Sequence, residues 1–260
     1  MIANRLSILI AERHLKASRI SKDTGIARST LNSITSNTSK MIQLETINTL
    51  CQYLNVSPNE FFEFLPFDVE FSPDFTLDNI QTNLNMPNDS YVLNDFTIKG
   101  IEIDGFLKQS FIRETTGFRE RTFDLTIRQI KDFDYMYLSS EDSLYDTNLE
   151  FDVLLGHTKD NDSYTKDLDG FTELWDKELP TSFQSAITNE IMNQTTDLFR
   201  SQVIAYLAEQ GINDLDQEAR KSFANAFKSI HFLFSFSFDN AYKPDVEPAS
   251  LTISFDSLPF

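Results

Sequence analysis

Within residues 15–34, LKASRISKDTGIARSTLNSI, a guanidinium at Arg28 and a carboxamide at Asn32 stand beside the hydroxyls of Ser29 and Ser33. A guanidinium can bond both acceptors on the major-groove edge of guanine, and a carboxamide can pair in a similar bidentate way with adenine. The apolar residues around them recur as a helix-turn-helix requires: Ile20, Ile26, Leu31 and Ile34, with a small Ser21 where two helix backbones approach. Gly25 sits where the chain must turn, because ending a short helix and redirecting it within a few residues usually needs a positive φ, which a Cβ penalises. An ordinary helical hairpin in a bundle has the same spacing and stays open as an alternative.

Other helices must position this pair. Upstream, Leu6, Leu9 and Ile10 recur at helical spacing; downstream, Leu44, Ile47, Leu50 and Leu54 do the same, with Cys51 as a small buried apolar group. Ser57-Pro58-Asn59-Glu60 reads as a capping box with proline at the first helical position, followed by Phe61, Phe62 and Phe64. The stretch thereby resembles the lambda repressor/Cro (XRE-type) family of DNA-binding domains, most of all the form whose fourth helix reads like IQLETINTLCQYL, here residues 42–54. The resemblance implies an all-α, five-helix domain whose second motif helix, from about Arg28 to Ser36, enters the major groove.

On that mapping Arg28, Ser29, Asn32 and Ser33 face bases, while Leu31 and Ile34 point inward. A phosphate clamp or a solvated side chain remains the alternative for Arg28. Lys16, Ser18, Arg19, Asn37, Thr38, Ser39 and Lys40 become candidates for flanking phosphates, where they position without specifying. The chain departs from the family at Lys16, Ala17 and Ala27, where Ser or Thr, Gln, and a Ser or Thr cap are usual. A missing cap costs about 0.5–2 kcal/mol, so the reading expects a marginal domain with modest half-site affinity that needs dimerisation.

Charge divides the chain in the same place. Residues 1–60 carry seven Lys and Arg against four Asp and Glu, net +3; of 22 basic and 40 acidic residues overall, 15 and 36 remain for the other 200, net −21. A surface with that excess of carboxylate cannot lie along DNA without strong repulsion, so contact falls to the amino-terminal part. One cysteine excludes an internal disulfide framework or a Cys-rich zinc site, no run approaches a membrane span, and Arg5, Glu12 and Arg13 interrupt any signal-peptide core. The expectation is a cytoplasmic protein with no membrane association and no cofactor.

The reading sets a helix-turn-helix domain at 1–66, an ordered connector with little regular structure at 67–95, pinned by Phe67, Phe71 and Phe75, and an acidic α+β domain at 96–260. Phe96 and Ile98 alternate, Gly100 interrupts, and Ile101 and Ile103 resume in the opposite phase, as in one strand bulged at the glycine. Alternation returns at Phe123–Ile127, Leu149–Leu155, Phe232–Phe238 and Leu251–Phe255, which predicts a mostly antiparallel sheet. Pro180 opens a helix with Phe183, Ile187, Ile191, Phe199, Val203 and Leu207 on one side; after Gly211, Leu215 to Ile230 mark another, giving two or three helices.

Enzyme chemistry has little to stand on: His157 and His231 are the histidines of this part, and neither HExxH nor a Gly-x-Ser-x-Gly elbow is present. Self-cleavage of the LexA and lambda type is disfavoured, since no Ala-Gly or Cys-Gly bond occurs. The run Asp160–Asp169 has carboxylates at some places of a calcium loop, but Thr172 and Phe171 stand where glycine and an oxygen ligand are needed, so it reads as a solvated acidic loop and not a metal site. His231–Asp239, with four phenylalanines on one face, reads as a core strand or, alternatively, a subunit surface. The expectation is a non-enzymatic transcriptional regulator, a repressor of a prophage or mobile element. It binds a duplex operator as a homodimer and is relieved by a protein inducer or antirepressor. The alternative is a small-molecule sensor with a Phe-lined pocket.

Overall fold

The structure, a computed structural model, describes residues 1–39, 41–74, 81–85, 95–111, 119–136, 148–157, 160–209, 230–241 and 252–254. Lys40, Phe75 and the helix expected after Gly211 lie outside them.

The chain begins with β1 (Ile2–Asn4) and α1 (Leu6–Glu12), followed by α2 (Ala17–Thr24), α3 (Arg28–Thr35), α4 (Leu44–Leu54) and α5 (Pro58–Phe61). Their apolar stripes meet in one cluster, in which Leu6, Ile20, Leu31, Leu50 and Phe61 are fully buried. Burial of each such side chain is worth roughly 1.5–3 kcal/mol, which is what holds helices this short. Leu44 departs from its expected place: it is 82% exposed, because α4 begins at this residue and its first turn projects beyond the core. The capping box forms at α5, where the Glu60 carboxylate accepts from the Ser57 amide at 2.7 Å and its hydroxyl at 2.8 Å. These two bonds hold the Glu60 carboxyl below its ordinary pKa.

β2 (Phe62–Phe64) returns antiparallel to β1, pairing Ile2 with Phe64 and Asn4 with Phe62. β3 (Phe67–Asp74), β6 (Glu102–Phe111), β7 (Arg119–Gln129), β9 (Asn148–Leu155), β10 (His231–Asn240) and β11 (Thr252–Ser254) form a six-stranded sheet in the order β11-β10-β9-β7-β6-β3. Every neighbouring pair is antiparallel except β9 with β10, which run parallel. A parallel pair requires a crossover. Between those two strands lie α6 (Asn161–Thr172), a π-helical turn at Glu173–Glu178 and α7 (Thr181–Glu209). Phe171, Leu174, Phe183, Ile187, Ile191 and Phe199 pack onto the sheet face formed by Leu107, Phe123, Ile127, Phe151 and Phe234.

Three expectations are corrected. The segment expected as a connector begins with a regular edge strand: β3 pairs with β6 along its whole length, and Phe67 and Phe71 are buried in the body. The strand expected to bulge at Gly100 is two strands of different sheets. β5 (Asp95–Lys99) pairs with β4 (Gln81–Asn85) and β8 (Phe133–Met136), and Gly100, at φ +63°, breaks the path into β6. The acidic run read as a solvated loop is helical, because Asp160 caps α6 by accepting from the amides of Asp162 and Ser163. Asp167 within it is buried, and its carboxylate accepts from the Asp124 amide at 3.0 Å, an edge donor of β7 beyond the end of its pairing with β9.

On β10 the expected alternation is present, with Phe232 and Phe234 buried. Its opposite face carries a polar cluster: the buried Asp152 accepts from Ser235 Oγ at 2.7 Å and Ser237 Oγ at 3.1 Å. The register slips between Phe236 and Asn240, and Phe238 takes φ +49°.

Candidate nucleic-acid interface

The turn between α2 and α3 is built by small side chains. Gly25 ends α2 at φ +76°, and its amide bonds Ser21 O at 2.9 Å. Ser21 is small, and its hydroxyl also donates to Ile26 O at 2.7 Å, while Thr24 Oγ1 donates to Ile20 O and accepts from the Ile26 amide. The turn thus satisfies its own polar groups and fixes the angle between the two helices. Behind it, Tyr53 of α4 donates to Asp23 of α2 at 2.7 Å, and this bond lowers the Asp23 pKa and raises that of Tyr53. Arg19 Nε pairs with the same carboxylate at 3.4 Å.

On α3, Arg28, Ser29 and Asn32 are exposed side by side; Leu31 and Ile34 are buried on the opposite face. Ser33 is half-buried, and its hydroxyl donates to Thr30 O at 3.0 Å. Thr30, which the sequence reading left out, is exposed as well. Lys16, Ser18 and Arg19 are exposed on α2 and its approach. Neither helix carries a side-chain cap at Lys16 or Ala27, so amides in their first turns are left without that partner.

The loop after α3 is more committed than the sequence suggests. Thr38 Oγ1 bonds Ser33 O and the Ser36 hydroxyl, and Ser39 Oγ donates to Met41 O. Asn37, read as a phosphate donor, is a clamp instead. At φ +54° it turns its amide onto Asn4: Asn37 Oδ1 accepts from the Asn4 amide at 2.8 Å and from Asn4 Nδ2, and Asn37 Nδ2 donates to Asn4 O at 3.0 Å. Asn4 is 3% exposed; its Nδ2 also donates to Ile34 O at 2.7 Å, and its Oδ1 caps the Leu6 amide. Sequence reasoning missed Asn4. The available signal was an Asn two residues before the first apolar residue of a helix, a capping position, but its partner 33 residues away is invisible to local spacing.

The body reaches the same loop. Asn189 Nδ2 of α7 donates to Ser36 O at 3.0 Å, at the end of α3. Ser182 bonds Glu63, and the α-amine of Met1 donates to Leu65 O and Phe67 O, each at 2.8 Å, while pairing with Asp68 at 2.9 Å. The end of α3 is therefore braced against the acidic body as well as its own domain.

An exposed row of hydrogen-bonding side chains on a helix that a glycine turn sets against its neighbour is the arrangement of a major-groove reader. Residues 5–66 match the family model of the Cro/C1-type HTH DNA-binding domain, and this part of the chain is a helix-turn-helix unit of XRE type. No curated protein and no solved structure matches the chain. The helical unit precedes a sheet-containing body, and the domain identifies a DNA-binding transcriptional regulator. Among the described residues no helix is long and apolar enough to cross a membrane, and no group of three His, Cys, Asp or Glu is placed to hold a metal ion.

Proposed function

We propose that the chain is a sequence-specific repressor, of the kind that silences prophages and mobile elements, and that α3 reads its operator through Arg28, Asn32 and Ser29. The observation that carries this reading is their joint exposure on the face of α3 opposite Leu31 and Ile34. Ser33 contributes less, since its hydroxyl is already donated. Lys16, Ser18, Arg19 and the uncapped amides of α2 and α3 hold flanking phosphates. A helix N-terminus favours an anion, so the absent caps leave donors free for DNA. Two copies act together on the operator, and a protein inducer relieves them.

The alternative of a Phe-lined ligand pocket fits the body less well. Phe151 lies within 5.4 Å of Phe234 and 6.1 Å of Phe199, and Phe199 within 5.4 Å of Phe232. These rings pack on one another between sheet and helix. The test is selection of duplexes from a random pool by the intact protein, followed by titration with Arg28→Ala and Asn32→Ala. Recovery of a defined sequence whose preference is lost in the variants supports the reading; recovery of random sequence overturns it.

A further inference from the structure

Arg19 stands in the first turn of α2 and Asp23 in its last. The pair runs against the helix dipole, which favours carboxylates at the start of a helix and cations at its end. The Arg19 side chain is 74% exposed, and an ion pair so placed contributes little to stability. It is nevertheless held from a second helix. Arg19 Nε donates to Asp23 Oδ2 at 3.4 Å, and the Tyr53 hydroxyl donates to the same oxygen at 2.7 Å. Tyr53 is half-buried against the core of the helical unit, beside the buried Leu54 on α4, so its hydroxyl is a fixed point. That bond is the main reason the Asp23 carboxyl titrates below its ordinary value, which makes it the carboxylate that both donors need. Among the described residues only Nε of the Arg19 guanidinium is engaged, so its two terminal nitrogens are left for an outside acceptor. The amides of the same first turn carry no side-chain cap.

We propose that Tyr53 is a positioning residue for DNA binding: through the Asp23 carboxylate it sets the Arg19 guanidinium so that both terminal nitrogens meet one phosphate of the bound duplex. The proposal rests on the regulator reading above and deepens its account of the phosphate contacts. A free arginine side chain loses its rotational freedom when it takes a phosphate, whereas one already tethered at Nε has lost part of that freedom beforehand. A phosphate contact places a protein on the duplex without reading it, so the effect of Tyr53 falls on every sequence alike. The Asp23 charge itself opposes the approach of DNA. Tyr53→Phe leaves every charge in place and removes only the donor, which makes it the variant that isolates positioning from charge.

Two measurements on the intact protein test it. Without DNA, solvent exchange of the Arg19 Nε–H is followed by NMR; it is expected to be slower than in a free arginine, and Tyr53→Phe should speed it. Unchanged exchange overturns the tether. With DNA, affinities for the selected duplex and for a random duplex of the same length are compared among wild type, Tyr53→Phe, Arg19→Ala and the double variant, under conditions where urea unfolding shows all four folded. Tyr53→Phe should weaken both duplexes by about twofold to tenfold, the cost of ordering one long side chain. In the Arg19→Ala background it should have no further effect. Arg19→Ala should also lower the slope of log affinity against log salt by about one. An equal loss in both backgrounds means that Tyr53 acts through the fold, and it overturns the proposal, as does no loss at all. A loss confined to the selected duplex, or an unchanged salt slope, overturns the phosphate assignment. If no form binds duplex, the regulator reading has failed and the phosphate contact with it, while the exchange measurement still decides the tether.

Discussion

Arg28 and Lys16 separate two kinds of contact. Arg28→Ala should cost about 1–3 kcal/mol on the selected duplex and little on random DNA, whereas Lys16→Ala should weaken both alike, as competition titrations would show. Asn4 is structural: Asn4→Leu strands the Leu6 amide, leaves the Ile34 carbonyl with the Asn37 amide alone and removes a donor to Asn37 Oδ1, and should cost about 2–3 kcal/mol in urea unfolding, with faster amide exchange at Thr38 and Ser39. Burial pushes the Asp167 carboxyl above its ordinary pKa, opposed by its bond from the Asp124 amide and reinforced by the Asp124 charge. A raised acid pKa means that the native state favours the protonated form. Its contribution is therefore greatest below the unfolded value and is lost as pH rises through the folded one. Asp167→Asn keeps an acceptor for the amide and removes the charge, so unfolding midpoints measured across the acid range should show the variant gaining on the wild type as pH rises. A gap that shrinks instead would reverse this assignment. The exposed face of α3 was legible because the period of Leu31 and Ile34 fixes which residues lie opposite them; Asn4, Asn37 and Asp167 were not, because each is defined by a partner far away in sequence.

Gly25 shows what a single turn position contributes. A Cβ there meets nothing within 4 Å, so Gly25→Ala tests conformation alone: the left-handed backbone should cost about 1–2 kcal/mol in chemical unfolding, and Gly25→Asn less. The helices α1 to α5 were readable from 3.6-residue periodicity and from the proline and capping box of α5. The sheet was half readable. Alternation marked β7, β9 and β10, but it carries no partner identity, so the parallel pairing of β9 with β10 and the division of residues 95–111 between two sheets went unseen. Alternation is a property of one strand, whereas sheet membership is a property of two.

At the scale of the molecule, charge and structure draw different boundaries. The electrostatic division falls near Pro66, yet Ala3 and Leu65 are buried in the core of the body, and Asn189 and Ser182 hold the helical unit from across it. A fragment ending at residue 66 uncovers those groups and should unfold at lower urea than the same helices in the intact chain. DNA binding by the intact protein should fall linearly in log affinity with log salt, through counterion release. The most exposed large apolar side chains among the described residues, Ile2, Met41, Leu44 and Phe64, all belong to the first 66 residues. Sedimentation of the intact protein with and without its duplex tests pairing. A complex that stays one protein per operator would exclude the paired action proposed above.

The parallel register of β9 against β10 sets a timetable. The helical unit closes through neighbours in sequence, whereas β10 can dock only after everything between Leu155 and His231 has been laid down, and loop entropy must be met before such distant contacts reward it. During synthesis the amino-terminal helices therefore emerge and collapse first, α7, whose Asn189 braces the end of α3, follows once β3, β6, β7 and β9 are already out, and β10 inserts beside β9 after it. Until α7 has emerged, the nascent chain holds a net-basic helical unit whose α3 lacks the Asn189 brace, so the set of that helix is decided by chain made more than 150 residues later.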